Sequence, residues 1–430
     1  MSSTGSRRNF VFLQGPHGPF LAQLASALRK AGADVWRVGF NAGDRAFWGR
    51  QPGYIPYVGR IEDWPAALDD LLDRHQITDI LLYGDARPVH EAAANAARAR
   101  GLRLHVLEEG YLRPYWVSYE RGGSNGNSPL VSLPLAEIRR RVANLETVPV
   151  EAPDHWGTLP SHVFYGALYH FFVLAANRRY RNMRSHRAIS VAREFRLQLR
   201  KLLLMPFTTA ARVRATARIF RGRYPYHLVL LQLEHDANFL THSPFDSQAE
   251  FVACVTEGFA RGAPPHHHLV FKAHPLEDGR VPLRRIVSAE AQQSGIGGRV
   301  HFVGGGKLAR LLDHALGAVT VNSTAGQQVL WRGLPLKAFG RSVYSQPEFV
   351  SNQPLDKFFE DPASPDLGAY LDYRAYLLGS SQLPGSFYTA RGRMQVIRRL
   401  VDNVLDPNDP YEHTARSGGR AAPPQHLGIV

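Results

Sequence analysis

The fold is decided by a short apolar strand that ends in polar residues, His268-Leu269-Val270-Phe271-Lys272-Ala273-His274-Pro275. A bounded apolar run of this length is typical of a buried strand in a parallel sheet. Its polar residues follow at the carboxyl end, which is the edge where open α/β sheets bind ligands. His274 can donate to a phosphoryl oxygen, Lys272 adds positive charge and Pro275 fixes the turn. The stretch therefore predicts an α/β domain that binds a phosphate-bearing ligand.

Similar strands alternate with helical patterns along the rest of the chain. The pattern predicts strands at 9–13, 34–40, 79–83, 102–107, 227–233, 268–272, 300–303, 318–321 and 336–339. Helices are predicted around Leu21 to Leu28 and at 64–75, 88–100, 247–260, 308–316, from 326 and at 391–404. This alternation indicates doubly wound parallel sheets. We therefore predict an α/β fold of the GT-B-like class, with two Rossmann-type domains facing across a cleft.

Length and composition suggest where the domains lie. A chain of 430 residues is long for one core. We predict an N-terminal Rossmann-like acceptor-side domain at 1–150, a basic helical connecting segment at 151–223, a C-terminal Rossmann-like nucleotide-sugar domain at 224–405 and a disordered tail at 406–430. The single cysteine suits a reducing cytoplasm. The N-terminus does not resemble a secretory signal, and the apolar stretch at 163–176 is too short to span a bilayer, so we expect a cytoplasmic protein without a transmembrane helix.

The positive charge is concentrated in one segment. Residues 176–223 carry fourteen Arg and Lys side chains against Glu194 alone, a net of +13 out of a total of +14. Interleaved apolar residues make this an Arg-rich, partly amphipathic helical region, which suits an anionic membrane surface. A solvated linker face and a nucleic-acid surface are the alternatives. We favour the membrane over nucleic acid because no nucleic-acid motif accompanies the charge.

Two groups of residues follow strands of the second half and are candidates for the site. Asn322-Ser323-Thr324 precedes a helix that opens near Gly326, where hydroxyl and amide donors favour an anion, although a plain N-cap is the simpler interpretation. Glu234-His235-Asp236 ends the first strand of this half. The Asp236 carboxylate could trap an oxocarbenium-like centre, or could merely cap the next helix.

The first half offers an acidic pair and a flexible loop. Glu108-Glu109-Gly110 ends a predicted strand, so that one carboxylate could deprotonate an acceptor hydroxyl, although a surface turn would look the same. The loop Gly122-Gly123-Ser124-Asn125-Gly126-Asn127-Ser128 could cover a substrate. His266-His267-His268 cannot converge on one ion from a strand, so we assign no metal. Together the carboxylates and the phosphate-binding residues suggest a sugar-nucleotide glycosyltransferase.

At these residues the sequence resembles the capsule polysaccharide biosynthesis and export family of the KpsS/LipB type. The resemblance covers most of Phe10 to Tyr344. It is carried by Phe12 to Phe20 (with Gln14 and Gly15), Phe40 to Asp44, Glu109 to Pro114 (with Arg113), Gln232 to Phe245, Lys272 to Pro275, Val321 to Gly326 and Gly333 to Pro335.

The resemblance implies a retaining β-Kdo transferase that uses CMP-Kdo and places the first Kdo on a lysophosphatidylglycerol acceptor. It implies no cofactor, a location on the inner face of the inner membrane of a Gram-negative cell, and a second Kdo transferase as partner. On this resemblance His274, Pro275, Ser323 and Thr324 fall on the CMP-binding motifs, Glu109 on the acidic motif and Asp236 on the candidate nucleophile. With them we group Lys272, Asn322 and Gly326 on the CMP-sugar side, His235 and Glu108 on the catalytic side, and Gln14, Gly15, Arg113 and Asn125 on the acceptor side. The rival interpretations are a sugar-nucleotide hydrolase or epimerase, and a non-catalytic membrane adaptor for capsule export.

Overall fold

The chain forms two units, each built on its own β-sheet. The computed structural model describes residues 7–112, 115–143, 159–183 and 191–412. The first unit comprises Met1–Pro129, Leu133–His186 and Asp372–Val430, and the second comprises Leu130–Ser132 and Arg187–Leu371. The domain boundaries predicted from the sequence implied consecutive units. The units are instead not consecutive, because the chain returns to the first unit after completing the second.

The first unit contains a seven-stranded sheet. Its strands are β1 (Asn9–Phe12), β2 (Asp34–Gly39), β3 (Tyr54–Pro56), β4 (Asp79–Tyr83), β5 (Arg103–Glu109), β6 (Trp116–Arg121) and β12 (Gln382–Pro384), in the order β12-β6-β5-β4-β1-β2-β3. Its helices are α1 (Phe20–Lys30), α2 (Ala42–Trp48), α3 (Trp64–Arg74), α4 (Pro88–Arg100), α5 (Leu135–Ala143), α6 (Leu159–Ala176) and α15 (Ala390–Leu405). Strands β1 to β5 pair in parallel, as the alternating pattern predicted.

Helices cover both faces of this sheet. Phe10 and Phe12 of β1 belong to a core that includes Leu24 of α1 and Leu400 of α15. Val11, the residue between them, belongs to a second core with residues of α3 and α4. Successive side chains of a strand point to opposite faces, so β1 is buried on both sides and is apolar throughout.

Strands β6 and β12 depart from the parallel pattern. β6 pairs antiparallel with β5, and β12 pairs antiparallel with β6. The prediction of a disordered tail from residue 406 is wrong as far as residue 412. Tyr411 is buried, and its hydroxyl donates to Glu120 Oε1 at 2.5 Å. The rest of the predicted tail lies outside the described residues.

The second unit contains a five-stranded parallel sheet in the order β11-β10-β7-β8-β9. The strands are β7 (Tyr226–Leu230), β8 (His268–Lys272), β9 (Val300–Val303), β10 (Ala315–Thr320) and β11 (Leu336–Ala338). The helices are α7 (Val191–Gly222), α8 (Ala237–His242), α9 (Gln248–Gly262), α10 (Leu283–Gln293), α11 (Ala309–Leu312), α12 (Gly326–Leu330) and α13 (Leu355–Glu360), and α14 (Leu367–Ser380) leads back to the first unit. The α/β class with a Rossmann-type sheet in each unit is confirmed.

Some predicted boundaries in this unit were wrong. The helix predicted at 308–316 is only the single turn α11, and β10 begins at Ala315 instead of near residue 318. Ala315 and Ala318 are buried in the sheet. The spacing of such small residues in a short run of sequence does not show whether the run forms a strand or a helix. Among the described residues, no helix has both the length and the apolar character required to cross a bilayer.

Candidate functional site

The strands of the second unit end in polar loops at one edge of the sheet. β7, β8, β9 and β10 are parallel neighbours, so the loops that follow their carboxyl ends lie side by side. These loops carry Gln232 to Asp236, Ala273 to Pro275, Gly304 to Gly306 and Asn322 to Thr324. The nucleotide-binding candidates predicted from the sequence therefore lie at one edge of the sheet, which is the edge where α/β sheets bind ligands.

Asn322 joins two of these loops. Its side-chain Oδ1 accepts from Gln232 Nε2 at 2.7 Å, and its backbone N–H donates to Gln232 Oε1 at 3.0 Å. Its Nδ2 donates to the carbonyl of Asn238 at 3.0 Å, and only 1% of the residue is exposed. We therefore assign Asn322 a positioning role: it fixes the start of α8, where Asp236 lies, against the Ser323 loop. Gln232, its partner, was missed as a site residue by the sequence analysis.

Lys272 is a buried cation at the end of β8. The residue is 5% exposed, and its Nζ donates to the carbonyl of Ala273 at 3.3 Å. Burial, and to a smaller extent the nearby charge of Arg212, lower the pKa of Lys272 to about 8. Among the described residues no carboxylate forms an ion pair with it. Two neighbouring cations without a counter-ion in the part of the chain that the structure describes create a site that favours an anionic ligand.

The glycine triplet Gly304-Gly305-Gly306 follows the neighbouring strand β9. Gly305 and Gly306 have φ angles of +73° and +85°, which side-chain-bearing residues rarely adopt. A Cβ on Gly306 would lie 2.7 Å from Cδ of Arg212, so glycine lets the Arg212 side chain approach this loop. Arg212 comes from α7, sixty residues before Lys272 in sequence, and the sequence analysis assigned it only to the basic segment.

His274 is half-buried, and one of its nitrogens has a defined role. Its Nδ1 accepts from the backbone N–H of Leu276 at 3.1 Å. A neutral ring in this arrangement carries its proton on Nε2, so Nε2 can donate to an oxygen of a ligand. Pro275, next along the turn, is exposed. The donor role of His274 towards a phosphoryl oxygen stays a prediction.

Ser323, Thr324 and Gly326 form a tight turn before α12. Ser323 Oγ accepts from the N–H of Ala325 at 3.2 Å, and the Ser323 carbonyl accepts from Tyr344 Oη at 2.5 Å. A Cβ on Gly326 would lie 2.6 Å from that hydroxyl oxygen, so glycine is required by packing. Thr324 is half-buried. Since α12 has only five residues, the charge that attracts an anion comes from Lys272 and Arg212 more than from a helix dipole.

Asp236 and His235 lie at the end of the first loop of this unit. Both are exposed. Asp236 is the N-cap of α8, and its Oδ1 accepts from Asn238 N–H at 3.0 Å. This is the capping role that the sequence left open, and it orients the carboxylate without burying it. A capping carboxylate at the open edge of the sheet is also accessible to a sugar.

The acidic pair of the first unit lies at the carboxyl end of β5. Glu109 Oε1 accepts from Tyr83 Oη of the neighbouring strand at 3.2 Å. Glu108 Oε2 is directed at Gly84, where an added Cβ would lie 2.9 Å from it. Burial raises the pKa of Tyr83 well above its ordinary value, so the phenol stays protonated and donates to Glu109. Both carboxylates are half-buried at a strand end, which suits proton transfer better than a surface turn would.

The remaining acceptor-side candidates have different structural environments. Gln14 is buried, and its Oε1 has no hydrogen-bond partner in the described part of the chain. A Cβ on Gly15 would lie 2.4 Å from Leu21, so Gly15 serves close packing. Asn125 donates from its backbone N–H to Tyr111 Oη at 2.7 Å. Arg113 lies outside the described residues.

The loop around Asn125 is anchored and does not fit the flexible covering loop expected from its glycines. Asp85 is buried and accepts from Ser124 N–H at 3.1 Å, from Ser124 Oγ at 3.2 Å and from Asn127 Nδ2 at 3.1 Å. These three hydrogen bonds fix the short 3₁₀ turn Asn125–Asn127 to the end of β4. Sequence spacing did not reveal Asp85 as the anchor because it lies about forty residues earlier in the chain.

The family of the chain follows from comparison with known proteins. The sequence profile of the family described as capsule polysaccharide biosynthesis protein matches residues 78–388. This chain belongs to that family. It is 30% identical over 384 residues to the capsule polysaccharide export protein KpsS of Escherichia coli, covering 89% of this chain and 97% of KpsS.

The chain is also similar to a second curated relative and to a solved structure. The chain is 30% identical over 399 residues to the capsule polysaccharide modification protein LipB of Neisseria meningitidis serogroup A, covering 89% of this chain and 92% of LipB. Among solved structures, a β-Kdo 2,7 transferase, KpsC of Thermosulfurimonas dismutans, aligns over 92% of this chain and 99% of its own with 13% identity and a TM-score of 0.44. The family profile and the two curated relatives confirm, at the level of the family, the resemblance found from the sequence motifs.

Proposed function

We propose that this capsule polysaccharide protein is a retaining glycosyltransferase that moves Kdo from CMP-Kdo to a lysophosphatidylglycerol acceptor. The observation that carries the proposal is Lys272, a buried ammonium beside Arg212 without a carboxylate partner among the described residues. CMP-Kdo carries a phosphate and a carboxylate, so it supplies negative charge that can pair with Lys272 and Arg212. His274 Nε2 adds a donor for a phosphoryl oxygen. The proposal assigns no cofactor.

The proposed chemistry is a double displacement. An oxygen of Asp236 attacks the anomeric carbon of Kdo, the bond from that carbon to the phosphate oxygen breaks, and CMP leaves with the electron pair. The hydroxyl of the acceptor then gives its proton to Glu109 and attacks the same carbon, which releases the Asp236 carboxylate. Each step inverts the anomeric centre, so the product retains the configuration of the donor.

Product analysis tests the proposal as a whole. Mass spectrometry of a reaction containing purified protein, CMP-Kdo generated in situ and synthetic lysophosphatidylglycerol should show one Kdo added to the lipid. Free Kdo or an isomerised sugar, formed equally with and without lipid, would identify a hydrolase or epimerase instead. Unchanged CMP-Kdo would favour a non-catalytic adaptor. In the proposed pathway, a second Kdo transferase extends the product.

Replacing Lys272 with Met should weaken CMP binding and stabilise the free protein. The lost charge-assisted contact should cost about 1.5 to 3 kcal/mol of binding free energy. Met fills most of the same volume and removes the buried charge, so the free energy of unfolding should rise. Calorimetry with CMP and thermal unfolding measure the two effects.

The pH dependence gives this prediction a second readout. The pKa of Lys272 falls from 10.5 in the unfolded chain to about 8 in the folded protein, so the unfolded state holds a proton that the folded state has lost between these values. Relative to Lys272→Met, the stability of the wild type should therefore rise with pH across this window. CMP binding requires the charged form and should weaken as the pH rises through about 8.

Matched variants separate a binding role from a structural one. His274→Ala should also weaken CMP binding, but should leave the stability near that of the wild type because the side chain is only half-buried. Lys30→Met removes an exposed lysine of α1 and should change neither property. CMP affinity that is unchanged in a folded Lys272→Met would remove Lys272 from the donor site.

We further propose that the basic segment holds the enzyme on an anionic membrane surface, where the acceptor resides, on the inner face of the inner membrane. Arginines and apolar side chains are exposed together on α7. The arginines are Arg196, Arg200, Arg214 and Arg221, and the apolar residues are Leu203, Met205, Phe207 and Val213. Arg193 and Lys201 belong to the same charge run, but their side chains lie outside those described. Mixed arginine and apolar exposure is typical of helices that lie on anionic lipid.

Replacing Arg196, Arg200, Arg214 and Arg221 together with Gln should release the protein from anionic vesicles. Each basic side chain near such a surface contributes about 1 kcal/mol, and the attraction acts over roughly 8 Å at physiological salt. Vesicle sedimentation at two salt concentrations measures the loss. Transfer to a membrane-held acceptor should slow, while transfer to a short soluble acceptor should persist.

A variant with the same change in charge provides the control. Arg50, Arg98, Arg103 and Arg285 are also exposed but lie outside the basic segment, and replacing them with Gln should leave vesicle binding nearly intact. Equal loss in both variants would show that only net charge matters. Vesicle binding that survives the α7 changes and is insensitive to salt would reject electrostatic docking through this helix.

A further inference from the structure

A groove in the first unit lies between α6 and the beginning of α15. It is a cavity of about 460 Å³, lined by Phe164 and Tyr165 of α6, by Tyr388, Thr389 and Ala390, and by Arg393 of α15. We call it the α6–α15 groove. None of these residues was singled out by the sequence analysis, and the donor site described above lies in the other unit.

Arg393 gives this groove an unusual charge. The residue is 5% exposed, its Nε donates to Gln23 Oε1 at 2.9 Å, and its Cζ lies 5.6 Å from the ring centroid of Tyr165. Its buried Nη1 has no hydrogen-bond partner in the described part of the chain. Burying a guanidinium group is costly unless an anion or further acceptors compensate. An anionic group bound in the groove would compensate it.

The beginning of α15 supports the same conclusion. α15 has sixteen residues, and Thr389 caps it by accepting from Gly392 N–H at 3.2 Å. Its first turn contains no acidic residue, and Arg391 and Arg393 occupy it instead. Helix N-termini favour negative charge, so two cations there oppose the helix dipole. A bound anion would interact favourably with the dipole and with the buried arginine together.

An exposed apolar surface continues from the groove along α6. Phe164 lines the groove and is 61% exposed, and Phe171 and Leu174 of the same helix are 60% and 52% exposed. On the opposite side of α6, Tyr169 is buried and accepts from Asn41 Nδ2 at 2.6 Å. Phe164 and Leu174 are ten positions apart, which is about 15 Å along the helix axis. The groove and the apolar surface therefore meet at Phe164.

We propose that the α6–α15 groove binds the phosphate of a single-chain phospholipid, with the acyl chain lying along the exposed face of α6. The anion is required by Arg393 and the start of α15, and the apolar chain by Phe164, Phe171 and Leu174. The two features are adjacent, so one molecule with an anionic head and one tail satisfies both. The inference rests on the proposed function for its biological role, because a lysophospholipid acceptor needs a binding site.

Binding measured without CMP-Kdo tests this site separately from transfer. The wild-type protein should bind lysophosphatidylglycerol below its critical micelle concentration in isothermal titration calorimetry. Arg393→Met should weaken that binding about tenfold or more, the order expected for a lost charge-assisted hydrogen bond. Arg398→Met, an exposed arginine further along the same helix, should leave it unchanged.

The acyl chain is tested with different ligands and a surface substitution. Phe164→Ser and Phe171→Ser should weaken binding of lysophosphatidylglycerol but not of glycerol 3-phosphate, while Leu240→Ser, at an exposed site in the second unit, should affect neither ligand. Because Phe164 and Phe171 are exposed, these variants should fold even if Arg393→Met does not.

Three results would overturn the inference. They are absence of lysophosphatidylglycerol binding to the wild type, equal affinity for inorganic phosphate and the lipid, and wild-type affinity in folded Arg393→Met. Failure of transfer with lipid binding intact would instead reject only the proposed reaction.

Discussion

Asp236→Asn should abolish Kdo transfer while leaving CMP affinity close to that of the wild type. The amide cannot attack the anomeric carbon, and loss of a nucleophile lowers turnover by roughly 10⁴-fold or more in enzymes of comparable mechanism. Asn is also a good N-cap, so its side-chain oxygen can still accept from Asn238 N–H and preserve the start of α8. The variant thus removes the proposed chemistry and keeps the capping role.

A second variant separates these two roles. Asp236→Ala removes both the nucleophile and the cap, so it should lose transfer and, in addition, about 1 kcal/mol of stability. Peptide mass spectrometry of the wild type mixed with CMP-Kdo and then digested should show a Kdo adduct on a peptide that contains Asp236, and Asp236→Asn should form none. Wild-type turnover in Asp236→Asn, or an adduct on another residue, would show that Asp236 is only the cap of α8.

Local pattern was sufficient to predict most of the fold. β4, β8 and β9 were predicted with their observed bounds because each is a short apolar run between turn signals. The pairing of β12 with β6 was not predictable, since it joins residues about 265 positions apart and β12 has only three residues. α2 was also missed: it has seven residues, and its position depends on Tyr169 of α6 packing against Gly43.

The candidate site shows the same limit at the level of single residues. Lys272 and His274 were selected from the sequence because they lie at the end of a recognisable strand and just after it. The importance of Lys272 depends on its burial and on Arg212, and both come from tertiary packing that no spacing in the sequence reveals. Asn322 lies at the edge where the sequence placed it, but only its hydrogen bonds to Gln232 show that it joins two loops. Arg393 looked like one more arginine in a surface helix until its burial was known.

Glu109→Gln should slow transfer by about 10²- to 10⁴-fold, the usual contribution of a general base. Gln has nearly the same size, and its Oε1 can still accept from Tyr83 Oη, so the local packing should persist. In the proposed mechanism, the attack of Asp236 on the donor does not use this carboxylate, and the acceptor step does. The Kdo adduct on Asp236 should therefore accumulate in Glu109→Gln, whereas it is consumed in the wild type when the acceptor is present.

Neighbouring substitutions decide which acidic residue is the base. Tyr83→Phe removes the hydrogen bond to Glu109 and keeps the carboxylate, so it should slow transfer much less than Glu109→Gln. Glu108→Gln alters the carboxylate that lies against Gly84 and should leave the acceptor step largely intact. If Glu108→Gln accumulates the adduct and Glu109→Gln does not, the base is Glu108. If neither does, the proton of the acceptor leaves by another route, and the acidic pair has a structural role at the end of β5.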